Sequence, residues 1–184
     1  KMKTAKRLEH IQEYYFSRKL KEINSLISAG KPVINLGIGS PDIMPPSSVV
    51  EKLKKSLESS VAHKYQGYKG IEPLRNAIKD FYLNNYNVNL NPNNQILPLI
   101  GSKEGIMHIS LAFLDEGDEV LIPNPGYPTY SAVTKIVGAK PIYYSLKESK
   151  SWLPDINELN KLDLSKVKIM WINYPNMPLS LIHI

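Results

Sequence analysis

From residue 95 onward, short apolar runs alternate with segments of helical periodicity, and this alternation restricts the possible folds more than any other feature of the sequence. The pattern predicts strand 95–100, helix 103–114, strand 119–123, helix 128–137, strand 139–146, helix 155–162 and strand 167–173. This order is typical of a mostly parallel sheet between two layers of helices. We therefore expect an α/β fold with three layers, α/β/α.

The first 90 residues have a more helical pattern. Apolar residues recur at helical spacing over 5–29, and Gly30 and Pro32 end that pattern. A short strand is predicted at 33–36, followed by a loop at 37–42. Ser48 has the capping-box spacing that starts a helix to about residue 59, and Pro73 lies just inside the start of another.

Composition excludes several classes of function. The 184 residues contain no cysteine, so disulfides and thiolate metal sites are excluded, and the four histidines are scattered along the chain, so we expect no metal. The net charge of +6 is dispersed among acidic neighbours, which favours a local anionic ligand over nucleic acid. No long apolar run or signal-peptide pattern is present, so we expect no membrane association and a cytoplasmic location.

The segment Gly101 to Gly105 follows an apolar run and opens a helix, which leaves backbone N–H groups available for an anion. Ser102 can add a hydroxyl group and Lys103 a positive charge, so phosphate is the expected guest. Many α/β proteins also place such a turn here only for packing, and that alternative stays open. The glycine spacing matches neither a P-loop nor a dinucleotide fingerprint.

Two further segments carry aromatic residues that could take part in a site. Tyr127 lies among prolines at the carboxyl end of a predicted strand, where it can stack on a flat heteroaromatic ring, or where it and Tyr130 merely cover the next helix. Tyr65 and Tyr68 lie between two helices, where they can reach a phosphate or a partner surface, or serve as half-buried loop anchors.

Taken in order, five segments resemble the class I/II aminotransferases of pyridoxal-phosphate (PLP) fold type I. They are Asn35 to Asp42, Tyr65 to Arg75, Gly101 to Gly105, Asn124 to Pro128 and Asn173 to Pro178. The resemblance covers about residues 5–178 and implies the PLP-dependent transferase fold. It also implies an enzyme that exchanges an amino group between an amino acid and a 2-oxo acid.

The resemblance also implies roles for individual residues. Ser102 and Lys103 would hold the cofactor phosphate, Tyr127 would stack on its ring, and Asn173 would belong to the same site. Tyr65 would reach the phosphate in the neighbouring subunit of a homodimer. The backbone of Gly39 would bind the substrate carboxylate.

Three departures qualify the resemblance. Met177 stands where the family has the asparagine that contacts the ring hydroxyl, and a thioether cannot donate that hydrogen bond. Leu179 and Ser180 replace the usual Thr-Gly. The lysine that bonds to the cofactor, the aspartate that pairs with the ring nitrogen and the arginine that grips the substrate lie further on in the family.

We therefore expect a truncated chain that contains no catalytic residue and is inactive alone. Residues 1–45 would form an N-terminal arm and small-domain segment, 46–178 an incomplete PLP-binding large domain, and 179–184 a non-native tail. The same motifs would occur in a carbon–sulfur lyase or a decarboxylase of this fold type. A non-catalytic fragment that binds a phosphate ligand or dimerises is the alternative from a different class.

Overall fold

The computed structural model describes residues 3–9, 11, 13–37 and 39–179, which form two compact units. The helical unit is Glu13–Pro98, and the sheet unit combines Lys1–Gln12 with Leu99–Ile184. Within the described ranges, no helix is long and apolar enough to cross a membrane. The boundaries expected from the family resemblance, at 45/46 and 178/179, stay a prediction.

The helical unit contains three helices, α1 (Tyr15–Ser28), α2 (Ser47–Leu57) and α3 (Glu72–Tyr86). Pro73 lies in the first turn of α3, as the sequence predicts, because proline needs no backbone N–H there. Asn87 ends α3 in a left-handed conformation with φ 55°, and its N–H bonds to the carbonyl of Leu83 at 3.0 Å.

The sheet unit follows the predicted alternation of helices and strands. Its elements are α4 (Ser102–Phe113), β1 (Glu119–Asn124), α5 (Pro128–Ile136), β2 (Lys140–Ser145), α6 (Ile156–Leu159) and β3 (Val167–Met170). The three strands pair in the order β2-β1-β3, and both pairings are parallel. All three strands therefore end at the same edge of the sheet.

The central strand β1 is buried on both faces. Val120 and Ile122 lie in one apolar cluster with Ile106 of α4 and Tyr130 of α5. Leu121 points to the other face and packs in a second cluster, which includes Leu159 of α6, Tyr144 and Leu146. Helices thus cover both faces, and the predicted three-layer α/β/α fold is confirmed.

Two predicted strands do not form. Segment 33–36 has no ladder partner among the described residues, and its Ile34 and Leu36 are 85% and 89% exposed. Segment 95–100 buries Ile96 but is likewise not assigned to the sheet. Both runs have strand-like composition, but a strand also needs a neighbouring strand to satisfy its backbone groups.

The predicted helix starts are also partly wrong. The long helix expected over 5–29 is a short 3-10 turn at Lys6–Leu8 followed by α1, which begins only at Tyr15. Helix α2 begins one residue before Ser48, so Pro46 occupies the cap position and the predicted capping box does not form. The tail prediction falls largely on residues 180–184, which lie outside the described residues. Leu179, by contrast, packs against the second apolar cluster.

Candidate functional site

The N-terminus of α4 has the geometry of an anion site. Gly101 precedes the helix in an extended conformation, and no side chain of the described residues caps this helix end. Ser102 and Lys103 form the exposed start of the first turn, where backbone N–H groups point away from the helix. The partial positive charge of the helix end adds to the charge of Lys103. The site can therefore bind a phosphate.

Two residues of α4, Gly105 and Glu104, contact the segment that precedes the helix. Gly105 is buried, and a Cβ atom at this position would lie 2.6 Å from Cδ1 of Leu99. A larger residue would have to displace the Leu99 side chain, which is 45% exposed. The carboxylate of Glu104 accepts a hydrogen bond from the N–H of Ile100 at 2.7 Å, which joins the first turn of α4 to the preceding residues. The start of α4 is thus bonded to the segment that leads into it.

Tyr127 lies where β1 leads into α5 and occupies the cap position of that helix. Its ring is half-buried, and Nζ of Lys103 lies 5.7 Å from the ring centroid. The preceding Gly126 is crowded, because a Cβ atom there would overlap the carbonyl oxygen of Pro123. The structure therefore brings a cation and an aromatic ring together at the α4 N-terminus, as the sequence predicts.

Tyr130 is buried and its ring contacts two other aromatic rings, those of Tyr127 and Trp171. Tyr130 is only 7% exposed, and its ring meets that of Tyr127 at 83° with 5.8 Å between centroids. Tyr130 also stacks on Trp171, with 5.0 Å between the ring centroids and 13° between the ring planes. Burial, followed by the proximity of Tyr127, raises the pKa of Tyr130. The sequence alone did not indicate that Trp171 belongs to this cluster, since 41 residues separate it from Tyr130.

Asn173 follows β3 at the carboxyl edge of the sheet. Met170 pairs with Leu121, and the N–H of Trp171 still donates to the carbonyl of Leu121 at 2.9 Å. Asn173 lies three residues beyond Met170, the last residue of β3 that pairs with β1. Asn173 is half-buried.

The loop after Asn173 contains a polar side chain that the sequence did not single out. Asn176 is 3% exposed, and neither its amide nitrogen nor its amide oxygen has a hydrogen-bond partner among the described residues. Met177, the departure from the family pattern, is 53% exposed.

The two remaining predicted residues, Tyr65 and Gly39, belong to the helical unit. Tyr65 is 96% exposed, so it is not a buried loop anchor. Arg75 stabilises the loop that follows Tyr65, because its guanidinium donates hydrogen bonds to the carbonyls of Lys69, Gly70 and Pro92. Gly39 is exposed and follows Ile38, which lies outside the described residues. The roles expected for Tyr65 and Gly39 stay predictions.

Comparison with known proteins identifies close similarity over nearly the whole chain. The family model described as aminotransferase class I and II matches residues 31–182. The chain is 41% identical to the LL-diaminopimelate aminotransferase of Dehalococcoides mccartyi over 177 residues, which is 96% of this chain and 46% of that protein. It is 42% identical to the enzyme of that name from Aquifex aeolicus, with 95% of this chain and 45% of that protein covered.

The structure is similar to the solved alanine aminotransferase from Pyrococcus furiosus. The TM-score is 0.86 and the identity 31%, over 96% of this chain and 45% of that one. The chain thus spans somewhat less than half the length of the relatives it matches.

Proposed function

Because the chain belongs to the class I and II aminotransferase family, we propose that the protein containing these residues is a PLP-dependent aminotransferase whose sheet unit binds the cofactor. The family is PLP-dependent. One observation carries the proposal for the site: Nζ of Lys103 lies 5.7 Å from the ring centroid of Tyr127 at the start of α4. A phosphate group and a flat ring in one ligand match this combination of charge and aromatic surface.

The residues present fit the cofactor at both ends. At the phosphate end, the uncapped helix start offers backbone N–H donors, Ser102 a hydroxyl group and Lys103 a positive charge. At the ring end, half-buried Tyr127 offers a fixed aromatic surface. We assign Asn173 to the ring end too, because it lies at the same edge of the sheet.

When bound, PLP supplies the carbonyl group that takes up the amino group and the ring that withdraws electrons. The residues of this chain bind and orient the cofactor. Lys103 neutralises phosphate charge, and a lysine engaged with the phosphate is not free to bond to the aldehyde carbon at the same time. Tyr127 restricts the tilt of the ring and shields one surface of it from water.

The binding experiment uses pyridoxamine 5′-phosphate, because the aldehyde of PLP would react with exposed lysines all over the chain. Calorimetric titration of the purified chain should give a Kd at least roughly tenfold lower for this compound than for pyridoxamine, which lacks the phosphate. Lys103→Met and Ser102→Ala should each raise that Kd roughly three- to tenfold.

The matched control is Lys135→Met. Lys135 is also an exposed helical lysine, but it lies in the last turn of α5, away from the carboxyl edge of the sheet. This variant should bind as the unmodified chain does. Equal affinity for pyridoxamine and its phosphate, or an equal effect of the two lysine variants, would show that this site does not bind the phosphate.

For the substrate, we propose LL-diaminopimelate, which is the substrate in the names of relatives about 40% identical to the chain. The test compares LL-diaminopimelate, alanine and aspartate as amino donors for the whole protein. We expect the highest kcat/KM for LL-diaminopimelate. A higher value for alanine or aspartate would reject this assignment and leave the cofactor site unaffected.

We also propose that the whole protein is a homodimer in which Tyr65 reaches the phosphate of the neighbouring site. The near-complete exposure of Tyr65 supports this role, because an aromatic hydroxyl group held out from its own unit can contact a second subunit. Sedimentation should give twice the monomer mass. Tyr65→Phe should weaken cofactor binding in the dimer, and Tyr68→Phe serves as the control from the same loop.

A further inference from the structure

The aromatic rings behind Tyr127 form a continuous packed unit. Tyr130 contacts Tyr127 nearly at a right angle on one side and lies almost flat on Trp171 on the other. Tyr130 is buried within the cluster that covers β1, while Tyr127 is half-buried at the site. The backbone does not by itself hold the Tyr127 ring, since its χ1 and χ2 angles stay rotatable at the start of α5.

We propose that Tyr130, backed by Trp171, is a positioning residue that fixes the ring plane of Tyr127 for the cofactor. This inference rests on the proposed function of Tyr127 as the ring-stacking residue. The perpendicular contact is a favoured aromatic arrangement, and rotation of Tyr127 about χ2 would break it. The flat stack on Trp171 prevents Tyr130 from following that rotation.

Trp171 directly follows β3, and two hydrogen bonds connect its backbone to the sheet. Its N–H donates to the carbonyl of Leu121, and its own carbonyl accepts a hydrogen bond from the hydroxyl group of Tyr144 at 2.7 Å. The backbone of Trp171 is therefore bonded to residues of both other strands. The stack thus couples the orientation of Tyr127 to the sheet itself, whereas a loop-borne aromatic residue would be free to tilt.

The first test is independent of any ligand. The chain is labelled with 3-fluorotyrosine, and the signal of Tyr127 is assigned with Tyr127→Phe. In Tyr130→Leu and in Trp171→Leu, the fluorine chemical shift of Tyr127 should move toward the value of free 3-fluorotyrosine. In Tyr130→Phe it should stay in place, because the proposal depends on the ring of Tyr130 and not on its hydroxyl group.

The second test is the Kd for pyridoxamine 5′-phosphate. Loss of an edge-to-face contact should raise it about three- to tenfold in Tyr130→Leu, and Tyr130→Phe should restore the original value. Trp152→Leu is the matched control for Trp171→Leu. Trp152 is the other tryptophan of the chain and packs against the cluster on the opposite face of the sheet.

An unchanged Tyr127 signal in a folded Tyr130→Leu variant would overturn the proposal, as would an equal effect of Tyr130→Phe and Tyr130→Leu on the Kd. If Tyr130→Leu does not fold, Trp171→Leu against Trp152→Leu decides the question. If the unmodified chain fails to bind pyridoxamine 5′-phosphate, the proposed function fails, and the fluorine signal alone decides whether Tyr130 orients Tyr127.

Discussion

Replacing Gly126 by alanine should destabilise the sheet unit and disturb the site at the same time. A Cβ atom at this position would overlap the carbonyl oxygen of Pro123 and lie 2.9 Å from its Cγ and 3.1 Å from its carbonyl carbon. Two of these atoms belong to the backbone at the end of β1, so no rotamer change relieves the overlap. Tyr127 is the next residue and would be displaced with the turn.

The magnitude follows from two opposing effects. Forcing an extra carbon atom into a packed position costs typically about 1–3 kcal/mol, and a backbone clash belongs at the upper end of that range. Alanine recovers roughly 0.4–1 kcal/mol by restricting the unfolded chain. The free energy of unfolding should therefore fall by about 2–2.6 kcal/mol in Gly126→Ala.

The control variant is Gly67→Ala. No atom lies within 4 Å of a Cβ placed on Gly67, and its φ lies outside the left-handed region, so only the effect on the unfolded chain remains. This variant should be unchanged or slightly stabilised. Urea denaturation followed by circular dichroism measures both variants. A change of less than about 0.5 kcal/mol in Gly126→Ala, the usual size of a surface effect, would refute the steric argument.

Two further predictions concern the helical unit and the alkaline range. Arg75→Met should lower the free energy of unfolding of the helical unit by about 2–3 kcal/mol, because three carbonyls lose a charged donor. Arg75→Lys should recover only part of this loss of stability, as measured in the same urea assay. Burial, with smaller contributions from neighbouring tyrosines, raises the pKa of Tyr144 to about 12. A raised pKa means that the folded state favours the neutral phenol, so this stability is present below the ordinary pKa of about 10 and is lost as the pH rises through about 12. Tyr144→Phe should flatten the fall of the thermal midpoint over that range.

How well the sequence predicted the fold depends on whether a pattern is local. Helix α4, strand β1 and helix α5 were predicted within one or two residues, because their periodicity and their Gly and Pro boundaries are local signals. The strand-like runs at 33–36 and 95–100 have the same local composition, but strand formation depends on a partner that no local pattern reveals.

The site shows the same distinction. The sequence indicates Ser102, Lys103 and Tyr127 because each lies at the start of a helix. Tyr127 also follows β1, which brings it to the carboxyl edge of the sheet, whereas the strand expected before Ser102 does not form. The contact of Tyr130 with Trp171 depends on the pairing of β1 with β3 and was not predictable from spacing. The complete burial of Asn176 in a proline-rich loop likewise depends on tertiary packing.

The most direct test of the proposed cofactor site is a crystal structure of the chain with pyridoxamine 5′-phosphate bound. We expect the phosphate within hydrogen-bonding distance of Ser102 and Lys103 at the start of α4, and the ring of the ligand lying against Tyr127. A phosphate bound elsewhere, or a ligand ring without contact to Tyr127, would contradict the assignment of this site.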